Sequence, residues 1–116
     1  MSTYEGSCHC GKVRYRVEVD LGKGVMSCNC SMCGRKGALL TFVQPEQFTL
    51  LTSEDALQDY QFHKRVIHHL FCKTCGVSSF ARGAGQDGPM LAINARCLEG
   101  VEPEKLKVKF FDGKSM

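Results

Sequence analysis

The chain has 116 residues, 43% of them hydrophobic, with eight cysteines, twelve glycines, no tryptophan and a formal charge of +3. That length suits a single domain, 1–116, whose modest core a bound metal would usefully reinforce. No apolar run approaches the ~20 residues that span a bilayer, and M-S-T-Y-E-G-S-C has neither the basic nor the apolar part of a secretory signal, so the expectation is a soluble cytoplasmic protein whose cysteines bind metal rather than form disulfides.

In chain order, the first motif is G-S-C-H-C-G, which sets Cys8 and Cys10 two residues apart with Gly11 free to turn the chain. Residues 12–19 then alternate without a break: Val13, Tyr15, Val17 and Val19 fall on one face, and Lys12, Arg14, Arg16 and Glu18 on the other. This predicts a half-buried strand. Two glycines within 20–24 predict a hairpin turn, after which 25–30 returns antiparallel to that strand. There the chain reads S-C-N-C-S-M-C-G-R, with three thiols, Cys28, Cys30 and Cys33, in six residues. In extended backbone Cys28 and Cys30 share a face, and a turn over 31–34 brings Cys33 beside them. Strands are predicted at 38–43, 48–51, 57–62 and 66–72, with one helical turn at 44–48 led by Pro45. The next motif, F-C-K-T-C-G, holds Cys72 and Cys75 and is closed by Gly76. A strand at 78–81, a turn or mobile loop at 83–89, a strand at 90–95, a helical turn at 103–106 and an edge strand at 106–110 complete the chain. No helical periodicity runs beyond about two turns, so the class is all-β and antiparallel, with thiol knuckles at strand ends.

Counting donors divides the cysteines. Cys8 and Cys10 with Cys72 and Cys75 make four, a closed structural zinc. Cys28, Cys30 and Cys33 then make three, an open zinc that keeps a position for water or substrate. Spacing also permits Cys30 and Cys33 to pair with Cys72 and Cys75 as in a zinc ribbon. With two zincs per chain, a net −2 from the four-thiolate site and −1 from the three-thiolate site bring the +3 to about zero. Net charge therefore gives no reason to expect a nucleic-acid partner.

The succession G-S-C-H-C-G-K-V-R-Y, C-N-C-S-M-C-G-R, F-C-K-T-C-G and I-N-A-R-C-L resembles the glutathione-dependent formaldehyde-activating enzyme family, which includes the centromere protein V group, over residues 4–108. The resemblance implies a β-tent fold. It also implies a structural zinc on Cys8, Cys10, Cys72 and Cys75 and a catalytic zinc on Cys28, Cys30 and Cys33. Asn29 and Gly34 stand where relatives often carry histidine and arginine.

An open three-thiolate zinc suits thiol transfer better than hydrolysis, because three thiolates leave the metal a poor Lewis acid. The expected reaction joins a small thiol such as glutathione to formaldehyde or a related aldehyde, a carbon–sulfur lyase reaction in reverse. Arg35, adjoining the triplet, is the candidate for the thiol's anionic groups; Lys36, Lys73, Arg82 and Arg96 lie near the motifs but read as solvated surface charges. One alternative is a non-catalytic binding module in which Cys97, then His68 or His69, then His9 supplies a fourth ligand to the triplet. For Cys97 the plainer reading is a buried small hydrophobe, for His68 and His69 a packed or solvent-facing role, and for His63 a surface position. A third reading, a thiol redox enzyme like the B-type methionine sulfoxide reductases with Cys97 as nucleophile, has only one isolated C-x-x-C to support it. Oligomeric state is not legible.

Overall fold

The computed structural model describes residues 2–62, 67–85 and 88–115. His63, Val66 at the head of the predicted 66–72 strand, and the middle of the predicted 83–89 loop lie outside the described residues. The described strands are β1 (Ser2–Ser7), β2 (Arg14–Val19), β3 (Val25–Cys28), β4 (Leu40–Val43), β5 (Phe48–Leu50), β6 (Leu57–Tyr60), β7 (His68–Cys72), β8 (Phe80–Gly85), β9 (Gly88–Asn94) and β10 (Val108–Phe111). One sheet has the order β1-β2-β5, the other β10-β3-β4-β9-β8-β7-β6. All pairs are antiparallel except β10 with β3, which run parallel. The one described α-helix, α1 (Cys33–Lys36), is a single turn, and no described helix is long and apolar enough to cross a membrane.

The all-β class, the helical turns at Pro45–Gln47 and Pro103–Lys105, and the edge position of β10 agree with the sequence reading. The hairpin at 20–24 does not. Asp20 accepts a hydrogen bond from the Gly22 amide at 3.0 Å and caps a 3-10 turn, Leu21–Lys23. Gly24 leaves that turn at φ 93, and the chain crosses to the other sheet. β2 therefore pairs with β1 and β5, and β3 pairs with β4 and β10. In the predicted 83–89 turn or loop the strands run further than expected: β8 extends to Gly85 and β9 begins at Gly88, and these two residues pair.

The alternation in β2 buries Tyr15, Val17 and Val19 against Leu91 and Ile93 of β9, Phe80 of β8 and Val43 of β4. Three rings form the centre: Tyr15 lies 5.1 Å from Phe48 and 5.5 Å from Phe80, and Phe48 lies 4.7 Å from Phe80. Each such ring pair contributes about 0.5–1.5 kcal/mol beyond area burial. Gly6 of β1 must lack a side chain, because a Cβ there would clash with the hydroxyl end of the Tyr15 ring.

Tyr15 donates its hydroxyl to the Ser79 carbonyl at 3.4 Å, and burial, then the nearby Cys97 thiol, push the phenol far above its ordinary pKa of 10.0. The folded state thus favours neutral tyrosine. Its contribution to stability is complete below about pH 10, the pKa of an unfolded tyrosine, and is lost as pH rises above that value. Alkaline titration followed by far-UV circular dichroism should show stability falling above pH 10 in the wild type and less steeply in Tyr15→Phe; equal slopes would remove Tyr15 from the account.

Candidate functional site

Two groups of thiols come together. In the first, Cys8 follows β1, Cys10 sits in the bend after it, Cys72 ends β7 and Cys75 lies in the turn beyond; the four sulfurs are within 4.8 Å of one another. Cys8 Sγ is 3.7 Å from Cys10 Sγ, and Cys10 Sγ is 3.6 Å from Cys72 Sγ. Tetrahedral zinc with Zn–S bonds of about 2.3 Å places its sulfurs about 3.8 Å apart, so this set is already at the spacing that such an ion requires. Backbone amides point at the sulfurs: Val13 to Cys8 at 3.4 Å, and Thr74 and Cys75 to Cys72 at 3.4 and 3.5 Å. Cys8 and Cys72 are buried, while Cys10 is exposed.

The second group is Cys28 at the end of β3, Cys30 in the following turn and Cys33 at the start of α1, again within 4.8 Å. The Cys33 amide donates to Cys30 Sγ at 3.3 Å and the Gly34 amide to the Cys30 carbonyl at 2.8 Å. Gly37, left-handed at φ 66, ends α1 by donating to the Cys33 carbonyl at 3.0 Å. Among the described residues no fourth Cys, His, Asp or Glu joins the three. All three are only partly buried.

Within each group the thiols split, neighbours favouring the thiolate of one and opposing that of another. The Val77 amide, then the Cys10 amide, hold Cys75 down to about 6. The Lys12 amide lowers Cys10, yet burial and the thiols of Cys72, Cys8 and Cys75 together push it up to about 11. Burial, then Cys30 and Cys28, push Cys33 up to about 12, whereas Cys30 is lowered because amide and thiol donors outweigh its burial. Thiols crowded this way can all be thiolates together only around a cation. Both donor sets therefore fit a soft divalent ion such as zinc.

The second group has a built surround. Lys36 is half-buried; burial pushes its ammonium down, while Cys33 and Cys30 pull it back up. Arg35 is exposed and donates to the Ser31 carbonyl at 2.9 Å. It lines a cleft of about 210 Å³ with Ser31, Met32, Tyr60 and Phe62. The Tyr60 and Phe62 rings stack at 6.0 Å, and Phe62 stacks on His69 at 5.2 Å. On the other side Asn29 holds the segment 111–114. Its Nδ2 donates to Asp112 at 3.0 Å, its Oδ1 accepts from the Lys114 amide at 2.9 Å, and its own amide donates to the Phe111 carbonyl at 3.2 Å. Gly113 is thereby laid on the knuckle, where a Cβ would come 2.6 Å from Cys28 Sγ. A larger groove of about 530 Å³, lined in part by Tyr4, Leu21 and Lys105, contains none of the candidate residues.

The other sequence candidates lie elsewhere. Cys97 joins neither group; its Sγ faces the Ser78 carbonyl at 4.0 Å, and burial pushes the thiol up, the opposite of what a nucleophile needs. His9 is exposed. His68 pairs with Asp59 at 2.7 Å. Arg82 pairs with Glu54 at 2.9 Å and covers the Phe80 ring at 5.5 Å. Sequence reasoning missed the Tyr60–Phe62–His69 stack and the clasp on Asn29, which depend on partners distant in the chain.

Two comparisons bear on this arrangement. The model of the family described as glutathione-dependent formaldehyde-activating enzyme matches residues 3–112. A crystal structure of a Rhodobacter sphaeroides protein is similar at a TM-score of 0.82 and 31% identity, covering 92% of this chain and 99% of that one.

Proposed function

Because the chain belongs to the glutathione-dependent formaldehyde-activating enzyme family, we propose that it joins a small thiol of the glutathione type to formaldehyde or a related aldehyde beside Cys28, Cys30 and Cys33, and runs the reverse carbon–sulfur lyase reaction there. The observation that carries this reading is a three-sulfur group that gains no fourth donor among the described residues and whose chain neighbours Ser31, Met32 and Arg35 line a cleft. In this reading Cys8, Cys10, Cys72 and Cys75 hold a structural zinc and Cys28, Cys30 and Cys33 a second zinc, two per chain. Zinc at the triplet supplies deprotonation of an incoming thiol at neutral pH.

The chain's own residues do the rest. Arg35 at the rim and Lys36 behind the triplet offer positive charge to the carboxylates of a glutathione-like thiol. Tyr60 and Phe62 wall one side of the cleft. The thiol's proton goes to solvent and its sulfur attacks the carbonyl carbon. The new S–C bond forms as the C=O π pair moves to oxygen, which takes a proton from solvent. Nothing is oxidised or reduced. Holding both reactants together is the main source of acceleration. The eight free thiols are compatible with a reducing, cytoplasmic setting.

The test is exchange spectroscopy on glutathione and formaldehyde with zinc-loaded protein, together with metal analysis. The expected result is interconversion faster than in buffer and two zincs per chain. A rate equal to buffer would replace the enzyme by a non-catalytic zinc-stabilised binding module.

A further inference from the structure

His69 is 8% exposed and its Nδ1 has no hydrogen-bond partner among the described residues. Buried polar atoms are nearly always paired, so an orphan nitrogen beside a functional site calls for a partner that the protein itself does not supply. Its surroundings point to what that partner is. β6 and β7 set His69 directly opposite Tyr60, and the Phe62 ring, two residues beyond β6, lies stacked on the imidazole. Tyr60 and Phe62 are walls of the cleft that Ser31, Met32 and Arg35 of the triplet's knuckle also line, and His69 lies behind these two rings rather than in the lining itself. Lys36, from α1, is near enough for its charge to act on His69 and on both Cys30 and Cys33. Burial, then Lys36, lower the His69 pKa, with Asp59 opposing, so the ring is neutral at pH 7 and offers one N–H and one lone pair.

We infer that His69 hydrogen-bonds, through Nδ1, to the aldehyde-derived oxygen of the substrate, reached past Phe62 from the cleft. This rests on the proposed thiol–aldehyde reaction. As sulfur adds to the carbonyl carbon, negative charge grows on that oxygen, and a fixed neutral N–H donor stabilises it without giving up its proton. The thiol alone carries no such oxygen, so His69 responds to the adduct and not to the thiol.

The test is nitrogen NMR of zinc-loaded protein labelled at its four histidines. The His69 signal is assigned with His69→Asn, or by elimination with variants of His9, His63 and His68 if that protein does not fold. The His69 Nδ1 resonance should move when glutathione and formaldehyde are added together and stay in place with glutathione alone. In exchange experiments His69→Leu should lose about a hundredfold in rate, at the low end for removal of an oxyanion donor. His69→Asn, which keeps an N–H near the Nδ1 position, should recover part of it, with zinc content unchanged in both. An Nδ1 resonance that ignores the adduct, or that moves equally with glutathione alone, overturns the inference even where the wild type accelerates exchange. A resonance that moves with the adduct supports the contact even where no acceleration is found, in which case the proposed catalysis fails instead.

Discussion

Cys72→Ser is expected to abolish the cooperative fold. Cys72 is 1% exposed, and its sulfur accepts two amides and lies 3.6 Å from Cys10 Sγ. Through it the end of β7 is brought to the bend that joins β1 to β2, so an ion on the four sulfurs, as proposed, would tie the two sheets together. Such a structural zinc would add roughly 10–16 kcal/mol, the range of small zinc domains, which matches or exceeds the whole net stability of about 5–15 kcal/mol typical of a domain. Replacing one thiolate by a hydroxyl removes a strong ligand and leaves a polar group in a buried position. The measurements are thermal melting by circular dichroism and metal content. The expected result is loss of the cooperative transition and of at least one metal; a melting curve like the wild type's with two metals retained would mean that the four sulfurs do not hold the fold together through an ion.

Cys33→Ser is expected to have the opposite profile. Cys33 is partly exposed and starts a one-turn helix whose end is secured independently by Gly37, and no buried residue belongs to α1. Losing this sulfur leaves two thiols, too few for a stable zinc site. The second metal should be lost, and thiol–aldehyde exchange should fall to the rate in buffer. Melting should shift by only a few degrees, since in a domain of this size about 1 kcal/mol corresponds to roughly 4–8 °C. Undiminished exchange in Cys33→Ser would move the chemistry away from the triplet.

What could be read from the sequence followed the range of the interactions. β2 was legible because its alternation, from Tyr15 to Val19, is a local record of one buried face, and the Pro45 turn because proline fixes φ on its own. The cysteine spacings also record local geometry: an i, i+2 or i, i+3 pair needs only a short turn to converge. β1 was missed because S-T-Y-E-G-S is mostly polar and owes its strand to pairing with β2. Misreading 20–24 as a hairpin had a similar cause: Asp20 and the glycines turn the chain as expected, but the direction in which it leaves is decided by β4 and β10, distant in sequence. For His69 the sequence offered a packed or solvent-facing ring or, in the binding-module alternative, a fourth ligand to the triplet. Its burial against Phe62 and its proximity to Lys36 depend on how β6, β7 and α1 come together.

The clasp of residues 111–114 on Asn29 sets an order of events during synthesis. The four-sulfur group has all its ligands once residue 75 has left the ribosome, and the triplet has its own far earlier, by residue 33. Yet the wall that Gly113 lays against Cys28, and the parallel strand that carries it there, come only about eighty residues after Cys33. A growing chain therefore carries the three sulfurs long before it carries the residue that covers Cys28, and the surround of the triplet is completed by a segment distant from it in sequence.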